Sequence, residues 1–256
     1  MRTHSESVVN QFDSQASAYL SSAVHAQGDD LKTAAAYVAQ HMPASSVGLD
    51  LGCGAGHLSF ALAPVLSKVV AADASPSMLE VVAEAAKQRN FNNIETLQTL
   101  VERLPFADAS FDVVATRYSA HHWGDVPAAL SEARRVLKPG GVLLVIDVLG
   151  YENPLVDTHF QTIEVLRDTS HVRDYAETEW RRMLADAGFE VQDKQAWPVR
   201  LEFSSWVTRM RTPELNVQAI RALQQGAPKQ VHEALFYEEE GSFTMSTALF
   251  CCRAKA

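Results

Sequence analysis

Short apolar runs alternate along this chain with segments whose apolar residues recur at three- and four-residue steps, the two patterns that separate buried strands from amphipathic helices. Within 1–27, Val8, Val9, Phe12, Ala16, Tyr19 and Leu20 form one face of a helix, and 31–42 form a second helix stopped by Pro43. Apolar strands are expected at 47–51, 68–73, within 93–100, at 111–116 and at 142–149. The helices between them start at His57, at the Ser75-Pro76 cap and at Pro127. Strands that alternate with helices in this way predict an α/β fold, a parallel sheet covered on both faces.

Past Gly150 the alternation loosens. Helices are expected at 153–168 and 175–187, the second stopped by Gly188, and then a strand over 189–203 interrupted by Pro198. Two or three further helices fill 204–236 before a final strand at 242–252. A helical excursion between the last two strands is placed to cap the sheet.

The first strand closes on Gly52, Gly54 and Gly56, each separated by one residue. Glycine at such a turn permits positive φ and a close approach of backbone to ligand. The helix that begins next presents free N–H groups. Asp73 ends the following strand, seventeen residues after Gly56. From that position a carboxylate accepts hydrogen bonds from both ribose hydroxyls of an adenosine ligand. The loop Arg117-Tyr118-Ser119-Ala120-His121-His122-Trp123 follows the fourth strand, at the sheet edge where parallel α/β folds carry ligands.

Composition narrows the function. A net charge of −9 without a concentrated basic run argues against nucleic acid as partner. The three cysteines give neither a disulfide framework nor metal-ligand spacing, so no metal is expected, and a reducing cytoplasm fits. No apolar stretch reaches the roughly 18 residues of a membrane span, and the polar N-terminus has no signal core.

The ordered set Leu49-Asp50-Leu51-Gly52-Cys53-Gly54-Ala55-Gly56, Asp73, Leu104-Pro105-Phe106 before Phe111-Asp112, and Arg135-Val136-Leu137-Lys138-Pro139-Gly140-Gly141 resembles the class I S-adenosylmethionine-dependent methyltransferases. The resemblance is to the branch with the ubiquinone/menaquinone C-methyltransferases. Tyr118 to Trp123, Leu166 to Arg173 and Phe203 to Val207 are most similar to the YafE-type bacterial methyltransferases within it. The resemblance implies a Rossmann-like sheet of seven strands, mostly parallel with the last antiparallel, and a helical cap. It divides one domain, 1–256, into an N-terminal lid helix (1–27), a cofactor-binding core (43–150), a substrate-side elaboration with the penultimate strand (151–241) and a final strand (242–254). Gly52 and Gly54 would meet the methionine part of S-adenosylmethionine, Asp73 the ribose, Met78 and the Val101 N–H the adenine. Tyr19 and Arg117 join this cofactor set. Many relatives carry Asp or Asn where this chain has Leu100, so Glu102, or backbone and packing alone, takes over the adenine amino group.

Methyl transfer from a sulfonium needs alignment and exclusion of water, and a base only when the acceptor is protonated. His121 and His122 are the candidates for that base. Tyr118 and Trp123 frame an apolar acceptor or anchor the loop. His159, His171, Arg167 and Arg173 either address an acidic substrate or join Glu164, Asp168 and Asp174 in a surface network. Glu238 to Glu240 read as a solvated charge run. A small-molecule methyltransferase is therefore expected. The alternatives are a nicotinamide-dependent oxidoreductase, whose glycine spacing differs from that of Gly54 and Gly56, and a cofactor-binding module without catalysis.

Overall fold

A computed structural model describes residues 3–13 and 28–255. In chain order the elements are α1 (His4–Asp13), α2 (Asp29–His41), β1 (Val47–Leu51), α3 (His57–Leu62), β2 (Lys68–Asp73), α4 (Pro76–Gln88), β3 (Ile94–Gln98), β4 (Phe111–Arg117), a 3₁₀ turn (Ala120–His122), α5 (Val126–Val136) and β5 (Leu137–Val148). They continue with α6 (Pro154–Arg167), α7 (Glu177–Asp186), β6 (Phe189–Leu201), α8 (Phe203–Arg209), α9 (Glu214–Gln225), α10 (Lys229–Leu235) and β7 (Phe243–Ala254).

The seven strands form one sheet in the order β3-β2-β1-β4-β5-β7-β6. β1 to β5 pair in parallel, and β7 runs antiparallel to both β5 and β6. This is the Rossmann-like methyltransferase sheet that the resemblance implies. Successive side chains on a strand leave by opposite faces, so the strands supply two cores at once. Leu143, Val145 and Cys252 pack on one side with α5 and α7, while Val142, Leu144, Ile146 and Cys251 pack on the other with α2 and α3. A third apolar cluster lies in the cap, where Phe160 of α6, Trp206 of α8, Ile220 of α9 and Leu235 of α10 meet Phe243 of β7.

Two expectations are corrected. Pro198 does not interrupt β6, which pairs with β7 from Phe189 to Leu201. β6 is an edge strand, and there a residue without an N–H costs no ladder bond on its open side. β5 begins earlier than expected, at Leu137 opposite Phe111, and Lys138 to Gly141 bulge out of the ladder, with Gly140 at φ +72°, before Val142 pairs with Val113. Among the described residues no helix is long and apolar enough to cross a membrane.

Candidate active site

The carboxyl ends of β1, β2 and β4 open into a cleft roofed by His4, Val8 and Phe12 of α1. Gly52 and Gly54 form its floor at φ +62° and +49°. A Cβ at Gly52 would collide with the Ser119 hydroxyl, whereas one at Gly54 would project into open cleft. The turn therefore keeps bare backbone where a ligand passes.

Asp73 closes β2 with both carboxylate oxygens engaged, Oδ2 accepting from the Gly54 N–H at 2.8 Å and Oδ1 from the Ser75 N–H at 2.9 Å. Its pKa is raised because burial outweighs the backbone N–H groups that favour the anion. Each oxygen has a further lone pair for a hydroxyl. Ser75 caps α4 by accepting from the Met78 N–H and donates to Asp13, which ties α1 to the cleft. Met78 is buried beneath the cleft, and Leu100, Val101 and Glu102 form its far wall. The Val101 N–H and the Glu102 carboxylate make no hydrogen bond to another described residue.

Asp50 is a site residue that sequence reasoning passed over, although its carboxylate interrupts a buried apolar strand. Its Oδ2 accepts from the Ser59 hydroxyl at 2.6 Å, while buried Oδ1 has no partner among the described residues. Burial pushes its pKa up to about 7. An orphaned acid at the edge of a bare-backbone cleft fits the ammonium of an amino-acid ligand. Arg117 borders the cleft, and its guanidinium is held to Asp30 of α2 at 2.5 Å, with both side chains 6 % exposed. Tyr19 lies outside the described residues.

A second cavity adjoins the first and shares Phe12, Tyr118 and His122 with it. The chain turns into this boundary at Tyr118, whose φ of +49° is unusual for a bulky residue, and the Tyr118 N–H is fixed to the Ile146 carbonyl at 2.8 Å. Trp123 is a core residue whose Nε1–H donates to Ser119 at 3.0 Å, so it anchors the loop.

The two histidines differ in state. His121 Nδ1 lies 2.5 Å from Asp147 of β5, and Asp147 also accepts from the Ala120 and Val148 N–H groups. Burial lowers the His121 pKa, but the charge and hydrogen bond of Asp147, with Asp174 and Glu164 behind it, carry it to about 9. His121 is therefore an imidazolium at neutral pH. His122 is pushed down to about 3 by burial and by the His121 charge. Its Nδ1 lies 3.1 Å from the Ser170 carbonyl, which can only accept, so Nδ1 carries the proton and Nε2 is the free base.

Glu164, Asp168, Asp174 and His171 form a buried network, not the surface network expected. His171 reaches Gln161 at 3.0 Å, Arg167 pairs with Glu164 at 3.3 Å, and Arg173 pairs with Asp157 at 3.0 Å. His159 borders neither cavity. His121, Asp147 and Asp174 place their ligand atoms within 4.8 Å of one another, as a metal site would. The tight His121–Asp147 hydrogen bond instead places a proton where such an ion would sit.

Residues 49–145 match the methyltransferase domain family model. The chain belongs to the class I S-adenosylmethionine-dependent methyltransferases, and S-adenosylmethionine is its cofactor. Escherichia coli K12 YafE is 50% identical over 193 residues, 75% of this chain and 93% of that protein. Bacillus subtilis YcgJ, a methyltransferase, is 37% identical over 206 residues, 79% of each chain. The crystal structure of YcgJ superposes with a TM-score of 0.85, covering 89% of this chain and 99% of that one. The ubiquinone/menaquinone biosynthesis C-methyltransferase UbiE of Shewanella frigidimarina is 31% identical over 168 residues, 57% of this chain and 66% of that protein.

Proposed function

We propose that this enzyme methylates a small molecule bound in the second cavity, and that the reacting centre lies at the boundary formed by Phe12, Tyr118 and His122. The observation that carries the reading is the continuity of the two cavities across these three residues. Bound S-adenosylmethionine supplies an electrophilic methyl group on a sulfonium. The residues of this chain provide alignment and dryness, and orientation of this kind is worth roughly 7–11 kcal/mol of barrier.

On this reading Gly52 and Gly54 pass the methionine part of the cofactor over bare backbone, and Asp50 Oδ1 accepts from its ammonium. Asp73 holds the ribose hydroxyls, Met78 packs under the adenine, and Val101 N–H with Glu102 meets the adenine edge. Arg117 closes the wall, and Tyr19, which lies outside the described residues, completes the cofactor set. His122, neutral with a bare Nε2, accepts a hydrogen bond from a nucleophile that carries a proton. His121 is already protonated and does not serve as a base. Helices α6 and α8, with α9 and α10 packed behind them, form the substrate-side wall in a single domain, and a cytoplasmic setting fits the free, buried cysteines.

The test is incubation with methyl-labelled S-adenosylmethionine and a cytoplasmic extract. Label in the small-molecule fraction above a no-enzyme control supports the proposal. Label confined to protein or RNA refutes the small-molecule acceptor, and cofactor binding without turnover returns the chain to a non-catalytic module.

A further inference from the structure

Residues 168–173, which follow α6, fold into a turn that holds the histidine loop, and one buried carboxylate makes that turn. Asp168 ends α6 at 2 % exposure, and its Oδ1 accepts from the Ser170 N–H at 2.8 Å and from the Ser170 hydroxyl at 2.6 Å. The His171 N–H closes on the Asp168 carbonyl at 3.0 Å. The Ser170 carbonyl is thereby presented to His122 Nδ1 at 3.1 Å, with the Ser170 hydroxyl oxygen beside it at 3.3 Å. Further along the turn, the Val172 and Arg173 N–H groups donate to the His121 carbonyl at 2.8 and 3.3 Å. The turn is fastened to the cap, since Thr212 Oγ1 and Asn216 Nδ2 donate to the Arg167 and Leu166 carbonyls at 2.9 and 2.7 Å.

This contact decides what His122 can do. A neutral imidazole carries one N–H, and the hydrogen bond made by one ring nitrogen settles which of the two is bare. In water the side chain favours the Nε2–H form, which would offer the acceptor a donor. The Ser170 carbonyl draws the proton to Nδ1 instead and leaves Nε2 bare in a ring that borders both cavities. From the other side His4 Nε2 donates to the His122 carbonyl at 2.8 Å, and the Phe12 ring meets the imidazole edge-on at 5.0 Å. Asp168, Ser170 and His122 are the residue types of a nucleophilic triad, but their hydrogen bonds run in the wrong order for one. The Ser170 proton goes to Asp168, so His122 does not activate that hydroxyl. A carboxylate is costly to bury, and the two Ser170 donors offset part of that cost only while the turn stays closed.

We propose that Asp168 is a positioning residue for methyl transfer: through the Ser170 turn it holds His122 in the tautomer whose bare Nε2 receives a hydrogen bond from the acceptor. The proposal rests on the methyl-transfer reading above and adds to it the group that sets the state of the imidazole. Asp168 acts through Ser170 and not on the reacting atoms. Without its Oδ1 the Ser170 N–H and hydroxyl lose their common acceptor, the turn opens, and the carbonyl leaves His122 Nδ1. The ring then relaxes to the Nε2–H form and meets the acceptor with a donor in place of an acceptor.

The readout is the tautomer itself, from long-range proton–nitrogen NMR of protein labelled with nitrogen-15 histidine and saturated with S-adenosylhomocysteine at neutral pH. The His122 signals are those lost in His122→Gln. The wild type should show a protonated Nδ1 and a bare Nε2. Asp168→Ala should convert most of the signal to the Nε2–H form, while Asp168→Asn, which keeps an acceptor oxygen for both Ser170 groups, should restore the wild-type form. Ser170→Ala removes only the hydroxyl leg of the clamp and should show both tautomers, which keeps the test decisive if Asp168→Ala does not fold. In the extract assay Asp168→Ala should label small molecules at least about tenfold more slowly than the wild type and Asp168→Asn within about threefold, with unchanged affinity for S-adenosylhomocysteine in both. An Nε2–H form in the wild type, or a pure Nδ1–H form in either alanine variant, overturns the proposal. A changed tautomer with an unchanged labelling rate also overturns it. Binding of S-adenosylhomocysteine by the wild type is measured first, by thermal shift. Its failure strikes the methyl-transfer reading, and its success with the tautomer unmoved strikes the role of Asp168 alone.

Discussion

Replacing Asp147 by Asn tests the buried imidazolium directly. The rise in the His121 pKa from 6.5 to about 9, at about 1.4 kcal/mol per tenfold change in proton affinity, makes the pairing worth roughly 3 kcal/mol. The folded state raises this pKa, so the stabilisation is complete below pH 6.5 and is lost as pH climbs through 9. Without the Asp147 charge, burial dominates and the ring is neutral in the variant. Asn retains an acceptor for the Val148 N–H but turns an N–H toward the Ala120 N–H, a pH-independent loss of about 1–3 kcal/mol. Asp50, which titrates near 7, is common to both proteins and cancels in the difference. Urea unfolding followed by tryptophan fluorescence from pH 6 to pH 10 should show the variant weaker throughout, with the gap wider by roughly 3 kcal/mol at pH 6 than at pH 10. A gap that is constant across that range would refute the charged pair.

Three further substitutions probe the cleft and its support. Asp73→Ala removes the acceptor of the Gly54 and Ser75 N–H groups and the proposed ribose contact. Its affinity for S-adenosylhomocysteine should fall at least tenfold by calorimetry, and unchanged affinity in a folded variant contradicts the assignment. Gly52→Ala must hold φ +62° and displace the Ser119 hydroxyl, for a loss of at least about 1–2 kcal/mol together with weaker cofactor binding. An unchanged melting temperature would count against the collision. Asp30→Ala strips the carboxylate from buried Arg117 and should cost about 3 kcal/mol in urea unfolding. A loss under 1 kcal/mol would mean that the pair matters little.

The parts of this molecule that repeat with a period were readable from sequence. β1 with its glycine turn, Asp73 at the end of β2 and the Ser75-Pro76 cap follow from local rules, and the structure places them as those rules require. Pro198 misled because its tolerance depends on β6 being an edge strand, which is a property of the whole sheet. The proton network was hidden for a related reason. His121, Asp147 and Asp174 come from three separate segments, and no spacing rule joins them. A single acid in each of two apolar strands, Asp50 in β1 and Asp147 in β5, was the available signal. An isolated carboxylate in a buried run needs a partner or a ligand, and here one acid has each role to offer.

In the register of β6 with β7, Leu201 stands opposite Phe243. Helices α8, α9 and α10, which contribute Trp206, Ile220 and Leu235 to the wall of the cap, are thus the overgrown loop of a β-hairpin. Their two ends are neighbours in the sheet, so this stretch can lengthen, shorten or be exchanged without moving a strand, because loop-closure entropy grows only slowly with length. The cofactor cleft is built from other strands, at the far side of β5. On the proposed reading, replacement of this one insert, which reaches the second cavity through Trp206, Arg209 and Met210, changes acceptor range while the methyl-donor machinery is inherited intact.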